Sequence, residues 1–363
     1  MSAHNGTHGT GTTSRKPKLD PARWRPPAMP ATVVATRPQN IRVYDVSGYG
    51  PEDVNLLADG QIVTGLADGR IIGIDPETGV ESLIADTGGR PLGIEHYPDG
   101  GLIVCDAYKG LLHVDVASGA ITTLETGFEG IPFVFCNNAA VTGEGTIYFT
   151  DSSTKFDFEH WRGDLIEHQP TGRLFRRTSG GELDVLADGL AFANGVALAA
   201  DESFVVFAET ASYSLRRCWL TGERQGTVEP FGSYLPGFPD NISTGEDQNI
   251  WVAIASPRDK ALDLLLPRAA FLRKLVWSLP QRFQPQPKSL IQLQAFNTEG
   301  DLVHAIDGEH ARFGKATGVR QHGHRVWLGS FEQETIAVID YPAPPVDSTP
   351  MQRHAERRRY GRA

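Results

Sequence analysis

Cysteine is scarce: Cys105, Cys136 and Cys218 are the whole complement in 363 residues. They are too few and too scattered for a disulfide framework or a thiolate zinc site, so a reducing, cytoplasmic setting is expected. Long apolar runs are missing, and nothing approaches the roughly 20 residues a bilayer-spanning helix needs. The opening MSAHNGTHGTGTTSRKPKLDPARWRPP is polar from the first residue and lacks the apolar core of a secretory signal. Positive charge is in deficit, with 34 Lys and Arg against 44 Asp and Glu and a net charge of −10. That balance argues against nucleic acid as a partner. There is no G-x-S-x-G elbow, since Ser152-Ser153 and Ser330 lack that context. P-loop and dinucleotide fingerprints are absent too, which lowers the case for nucleotide-dependent chemistry.

Glycine and proline, by contrast, are plentiful at 39 and 24 residues. They fall short of the share that marks low-complexity disorder, and tight turns are their natural place. Residues 1–30 read as a flexible Gly/Thr/Ser-rich tail and 346–363 as a short basic tail. Between them, from 31 to 345, one rhythm recurs: a short apolar run, an Asp- or Gly-containing turn, an apolar-aromatic strand, then another turn and strand. VNLLADGQIVTGLADGRIIGIDPETG is the first such unit, and PLGIEHYPDGGLIVCDAYKGLLHVDVASG the second. Alternating β-branched and aromatic residues flank each turn, which is the hairpin signal. Turns at Asp59, Asp99, Glu144, Asp201, Asp247 and Gly323 mark six units. Their spacing of roughly 40 to 55 residues fits four-stranded propeller blades. The expectation is an all-β, six-bladed β-propeller with a short helical insertion, in preference to a pair of sandwich domains. A strand around Asn40 to Val46 would complete the last blade and close the ring.

The insertion spans 257–287. Leu262, Leu265, Leu266, Ala269, Leu272, Val276 and Leu279 recur at helical spacing, and Pro267 predicts two short helices, the second starting at that proline. Such a stripe caps the propeller. It could also form a lid that lines a substrate entrance or makes peripheral contact with a membrane, with Arg268, Arg273 and Lys274 outward. Phe133, Phe135, Phe192 and Phe238 hint at a large apolar cup beneath it.

Polar residues interrupt the apolar pattern shortly before the first turn of four blades: Glu52-Asp53, Asn137-Asn138, Asn194 and Asp240-Asn241. Singly, each is ordinary turn chemistry. Their recurrence at equivalent positions is what favours function, because innermost strands converge on one mouth of the channel. Carboxylates and amide carbonyls gathered there are hard oxygen ligands, suited to Ca²⁺ or another hard divalent cation. Zinc would more usually recruit His or Cys. The histidines show no metal-ligand spacing.

At these residues the sequence resembles the calcium-dependent six-bladed propellers that include gluconolactonases and regucalcin, paraoxonases and strictosidine synthase-like proteins. Within that superfamily it most resembles the strictosidine synthase-like proteins and the adipocyte plasma membrane-associated protein. The carrying segments are GPEDVNLLADGQIVTGLADGRI, RPLGIEHYPDGGLIVCDAYKGLLHVD, IYFTDSSTKF, FANGVAL, GFPDNIS and LLLPRAAFLRKLVWSLP. The resemblance implies one catalytic Ca²⁺ on the propeller axis, held by Glu52, Asn137, Asn194, Asp240 and Asn241. Asn138 stands where many paraoxonase-like members carry Asp, which weakens the case for a second, structural calcium. Asp106 and Asp151 are also family-like, as mouth residues or as structural turn residues. The implied activity is hydrolysis of a small-molecule lactone or ester, with Asp240 as the candidate base. The alternatives are a non-catalytic ligand- or protein-binding propeller and a strictosidine synthase-like condensing enzyme. The last is disfavoured because Thr317-Gly318-Val319 stands where that reaction's late glutamate would be sought.

Overall fold

The computed structural model describes residues 16–280 and 288–341. The basic tail at 346–363, the first fifteen residues and the end of the insertion lie outside the described residues.

Six four-stranded antiparallel sheets form the blades of a propeller. Blade 1 contains Val54–Leu56, Ile62–Gly65, Arg70–Ile74 and Glu81–Asp86, and blade 2 runs from Pro91–His96 to Ile121–Glu125. Blade 3 begins with Cys136–Val141, blade 4 with Ala193–Leu198 and blade 5 with Gly237–Thr244. Blade 6 combines Val319–His322, Arg325–Leu328 and Thr335–Asp340 with the N-terminal strand Gln39–Asp45. That strand pairs antiparallel with Thr335–Asp340, as expected for ring closure. The closure leaves the ring without an open seam.

The second strands Ile62–Gly65, Leu102–Asp106, Ile147–Asp151 and Phe204–Glu209 are buried along their whole length. Their near-continuous apolar sequence follows from covering on both faces. Apolar packing is distributed in seams between neighbouring blades. Ile103, Cys105 and Leu111 meet Phe149 and Phe175 between blades 2 and 3. Val54, Ile62 and Ile74 meet Trp327 and Ile336 between blades 1 and 6. With the core placed in these seams, the axis is left to polar residues.

Among the described residues, three α-helices lie on one mouth. Helix α1 (Trp161–Glu167) sits in a connection within blade 3, and α2 (Lys260–Leu265) and α3 (Ala270–Ser278) form the insertion in blade 5. The second insertion helix starts after Pro267, not at it. Arg268 N still donates to Leu265 O, closing the turn that follows α2, and Ala269 is extended before α3 begins. Arg273, expected to face outward, is buried: its guanidinium donates to Ile166 O, Glu167 O and Ala22 O. Carbonyls at the end of α1 lack helical partners and carry partial negative charge, so a buried cation there is well placed.

Residues 16–28, read from sequence as tail, lie across these helices. Ala22 N donates to Glu167 O at 2.9 Å, Trp277 Nε1 to Pro17 O at 2.8 Å, and Arg258 Nη2 to Pro27 O at 2.8 Å. Leu19 packs with Phe156, Ile166 and Trp277.

Candidate metal and substrate site

Each innermost strand of blades 2 to 5 carries a register shift near its start. The breaks fall between Pro91 and Ile94, Cys136 and Ala139, Ala193 and Val196, and Pro239 and Ile242. A bulge bends the strand and re-aims its side chains. Three of these four breaks contain the residues singled out from sequence: Asn137-Asn138, Asn194 and Asp240-Asn241. Glu52-Asp53 immediately precedes the first strand of blade 1.

Convergence also needs close backbone approach. A Cβ on Gly195 would lie 2.3 Å from Ile242 N, and one on Gly318 would lie 2.7 Å from Glu52 O. Only glycine allows blades 4 and 5, and blades 6 and 1, to meet at that depth. Cross-blade hydrogen bonds then fix the ring: Thr150 Oγ1 donates to Asn194 O at 2.7 Å, and Val196 N to Asn138 Oδ1 at 2.9 Å. Thr317 Oγ1 donates to Glu52 O at 2.8 Å, which gives Thr317 a structural role.

The amide orientations follow from hydroxyl partners. Thr210 Oγ1 donates its single proton to Pro239 O at 2.7 Å, so it can only accept from Asn194 Nδ2 at 3.1 Å. Asn137 Nδ2 likewise donates to Ser152 Oγ at 2.9 Å. The Oδ1 atoms are what remain, and both are buried without a hydrogen-bond partner. So are Glu52 Oε2 and both ends of the Asn241 amide, Oδ1 and Nδ2. Orphaned buried oxygens are costly, and four from one predicted ligand set require an electropositive partner. The donor set is therefore chemically fitted to a hard cation such as Ca²⁺. Among the described residues no group of three or more His, Cys, Asp or Glu could hold a metal ion, so amide oxygens are an essential part of this set.

Electrostatics agrees. Burial, then the negative charges of Asp240 and Asp53, pushes Glu52 well above the ordinary carboxylate range. Asp240 is pushed up to about 7 by burial, with a further contribution from Asp53. Two carboxylates that resist ionisation together are a place where a cation lowers the free energy. Asp53 is itself raised to about 6 by burial. Its oxygens already accept from Val54 N at 2.9 Å and Ile94 N at 3.1 Å, so it ties blades 1 and 2.

Glu52, Asn137, Asn194 and Asp240 share the floor of one cavity of about 510 Å³. Asn241 does not line it; it is buried beside the floor, its N–H donating to Thr317 O. Asp106 and Asp151 are not in the lining either. Asp106 accepts from the backbone of Arg90, Tyr108 and Lys109, and Asp151 from Phe135 N and Arg173. The cavity walls are apolar and include Phe135, Phe192, Phe238, Leu262, Leu265 and Val276. Phe133, grouped with these from sequence, instead packs edge-on against Phe149 and Phe175 in the seam between blades 2 and 3. The sequence reading missed α1, which contributes Trp161, Arg162, Leu165 and Ile166 to the wall. Its signal was present in the i, i+4 pair of Trp161 and Leu165, but about two turns of helix are a weak period. His168 ends α1 with a left-handed backbone and stacks on Trp24 at 4.1 Å. Burial lowers it to about 4, and it does not line the cavity.

Comparison with known proteins identifies the family and the fold. The profile described as strictosidine synthase matches residues 137–223, and that of the strictosidine synthase-like N-terminal region matches 39–74. Strictosidine synthase-like 13 of Arabidopsis thaliana is 31% identical over 328 residues, covering 81% of this chain and 78% of that protein. The adipocyte plasma membrane-associated protein of Bos taurus is 34% identical over 317 residues, covering 80% of this chain and 76% of that protein. A gluconolactonase from Xanthomonas campestris shares the fold with a TM-score of 0.61 at 17% identity, over 91% of this chain and 99% of that one. A calcium-binding protein, regucalcin, from Agrobacterium tumefaciens superposes with a TM-score of 0.55 at 13% identity, over 83% of this chain and 97% of that one.

Proposed function

This chain belongs to the strictosidine synthase-like family, and on that footing we propose that it is a Ca²⁺-dependent hydrolase of lactones or small esters. The observation that carries the reading is the set of orphaned oxygens of Glu52, Asn137, Asn194 and Asn241 around Asp240, at or beside the floor of an apolar cavity. A calcium ion bound there supplies a Lewis acid for a substrate carbonyl. The rest is done by the chain. Asn137 and Asn194 present fixed carbonyl dipoles, because Ser152 and Thr210 hold their amide nitrogens. Asp240, half-buried and facing the cavity, is the group placed to take a proton from an attacking water. The aromatic walls seat an apolar substrate and exclude bulk water. Cytoplasmic residence is part of the same reading and rests on the scarcity of cysteine in the sequence.

The outward side of the lid is assigned to a lipid surface. Leu264, Phe271 and Leu275 are 58%, 67% and 60% exposed, on the helices whose Leu262, Leu265 and Val276 line the cavity. Among the described residues no helix is long and apolar enough to cross a membrane, so this contact is peripheral.

The test is hydrolysis of γ-decalactone and phenyl acetate with EDTA, and again after Ca²⁺ is restored. Turnover that returns with Ca²⁺, and that Asp240→Ala and Asn194→Ala each reduce by at least about a hundredfold, is the expected result. Tight Ca²⁺ binding with no turnover of either substrate would turn the reading toward a binding propeller. No Ca²⁺ binding would overturn the site.

A further inference from the structure

The mouth of the cavity carries charge opposite to that of the molecule. Lys260, Lys288 and Arg162 line it, while the chain as a whole is at −10. The nearby carboxylates are largely committed elsewhere. Asp259 also lines the cavity, but its Oδ1 caps α2, accepting from Ala261 N at 2.7 Å and Leu262 N at 2.9 Å. Asp263 is matched by Arg258 at 2.9 Å. Glu332 lies 3.7 Å from Arg162 but is also held by Lys315. Lys260 and Lys288 are exposed and, among the described residues, have no ion-pair partner.

The cavity is therefore polarised along its depth: carboxylates and amide oxygens at the floor, apolar walls, cations at the opening. A neutral apolar substrate has no use for the last of these. A substrate with an anion at one end is oriented by the walls and the rim, its apolar body held by the first and its charge attracted to the second. We propose that the site selects a hydrophobic ester or lactone bearing a carboxylate at the end remote from the bond to be cleaved. Lys260 and Lys288 are then its specificity-determining residues. The orientation rests on the hydrolase reading above; the charge selection at the rim stands on its own.

Calorimetric binding of decanoate and of 1-decanol to the Ca²⁺-loaded chain separates the two. Decanoate is expected to bind roughly twofold to fivefold more tightly, an advantage typical of partly exposed charge pairs. It should survive EDTA, shrink in high salt, and fall to parity in K260E/K288E. Equal affinities for the two probes overturn the proposal. So does a preference that EDTA abolishes and K260E/K288E retains, because the carboxylate then sits at the floor. Turnover of γ-decalactone is followed on the same samples. Its absence defeats the hydrolase reading while the ratio of dissociation constants still decides the rim.

Discussion

At the scale of single residues, the site depends on side chains outside the predicted ligand set. Thr210 is the clearest case, because one hydroxyl both anchors Pro239 O and dictates which end of the Asn194 amide points inward. Thr210→Val keeps the shape and removes both bonds. Partners of this kind are typically worth tenfold to a hundredfold in metal affinity, so the Ca²⁺ dissociation constant is expected to rise by at least about tenfold. Calorimetry reads the constant directly, and an unchanged value would refute the orienting role. The loss of two buried hydrogen bonds adds about 2 kcal/mol of destabilisation, visible in thermal unfolding. Asn137, Asn194 and Asp240 were legible in the sequence because a polar residue in an otherwise apolar inner strand needs a reason. Ser152 and Thr210 were not, because a hydroxyl at a strand end is unremarkable until its geometry is known. Asp106 and Asp151 show the converse. Sequence left them open, and their several backbone donors make them turn and blade staples.

At the scale of elements, the recurring bulge explains why blades 3, 4 and 5 contribute ligand oxygens at one depth. The hairpins were legible from turn residues and alternation, as was the closing strand, because blade patterning is strictly local. The helices were less so. Two insertion helices were expected, but the start at Ala270 and the inward turn of Arg273 depend on contacts with α1 and with residues 16–28, which no local pattern encodes. Those residues act as a strap. Arg273, Trp277 and Arg258 each donate to its carbonyls, and Leu19 fills the space beneath α3. Deleting residues 1–28 is expected to raise amide exchange across Ala270–Ser278 by at least about tenfold, since local opening is governed by such contacts. The main unfolding transition should move little, because Leu19 takes no part in the seams between blades. Hydrogen exchange with mass spectrometry resolves the two, and equal protection in the deleted chain would refute the strap.

At the scale of the whole molecule, distributing the core into six seams frees both the axis and the lid. The lid covers the cavity with its inner face, and its outer face remains apolar. Large exposed side chains in close succession at Leu264, Phe271 and Leu275 are uncommon on a soluble surface without a partner. Exposed Arg268 and Lys274 lie on the same segment, and Arg23 on the strap beside it. A molecule at −10 is repelled from an anionic membrane as a whole, so binding requires this basic, apolar patch to approach first. Each basic residue near such a surface contributes about 1 kcal/mol, and the three apolar side chains insert into the headgroup region. The chain is expected to cosediment with vesicles of phosphatidylcholine and phosphatidylserine and far less with phosphatidylcholine alone. Raised salt should weaken the binding, and the triple variant Leu264→Glu, Phe271→Glu, Leu275→Glu should abolish it. Those residues do not line the cavity, so loss of binding with an unchanged affinity for 1-decanol identifies the outer face as the contact. Equal sedimentation of variant and parent would show that the outer face serves another partner. With the outer face on lipid, as proposed, the apolar walls would have a nearby source of substrate, because a hydrophobic ester partitions into the bilayer.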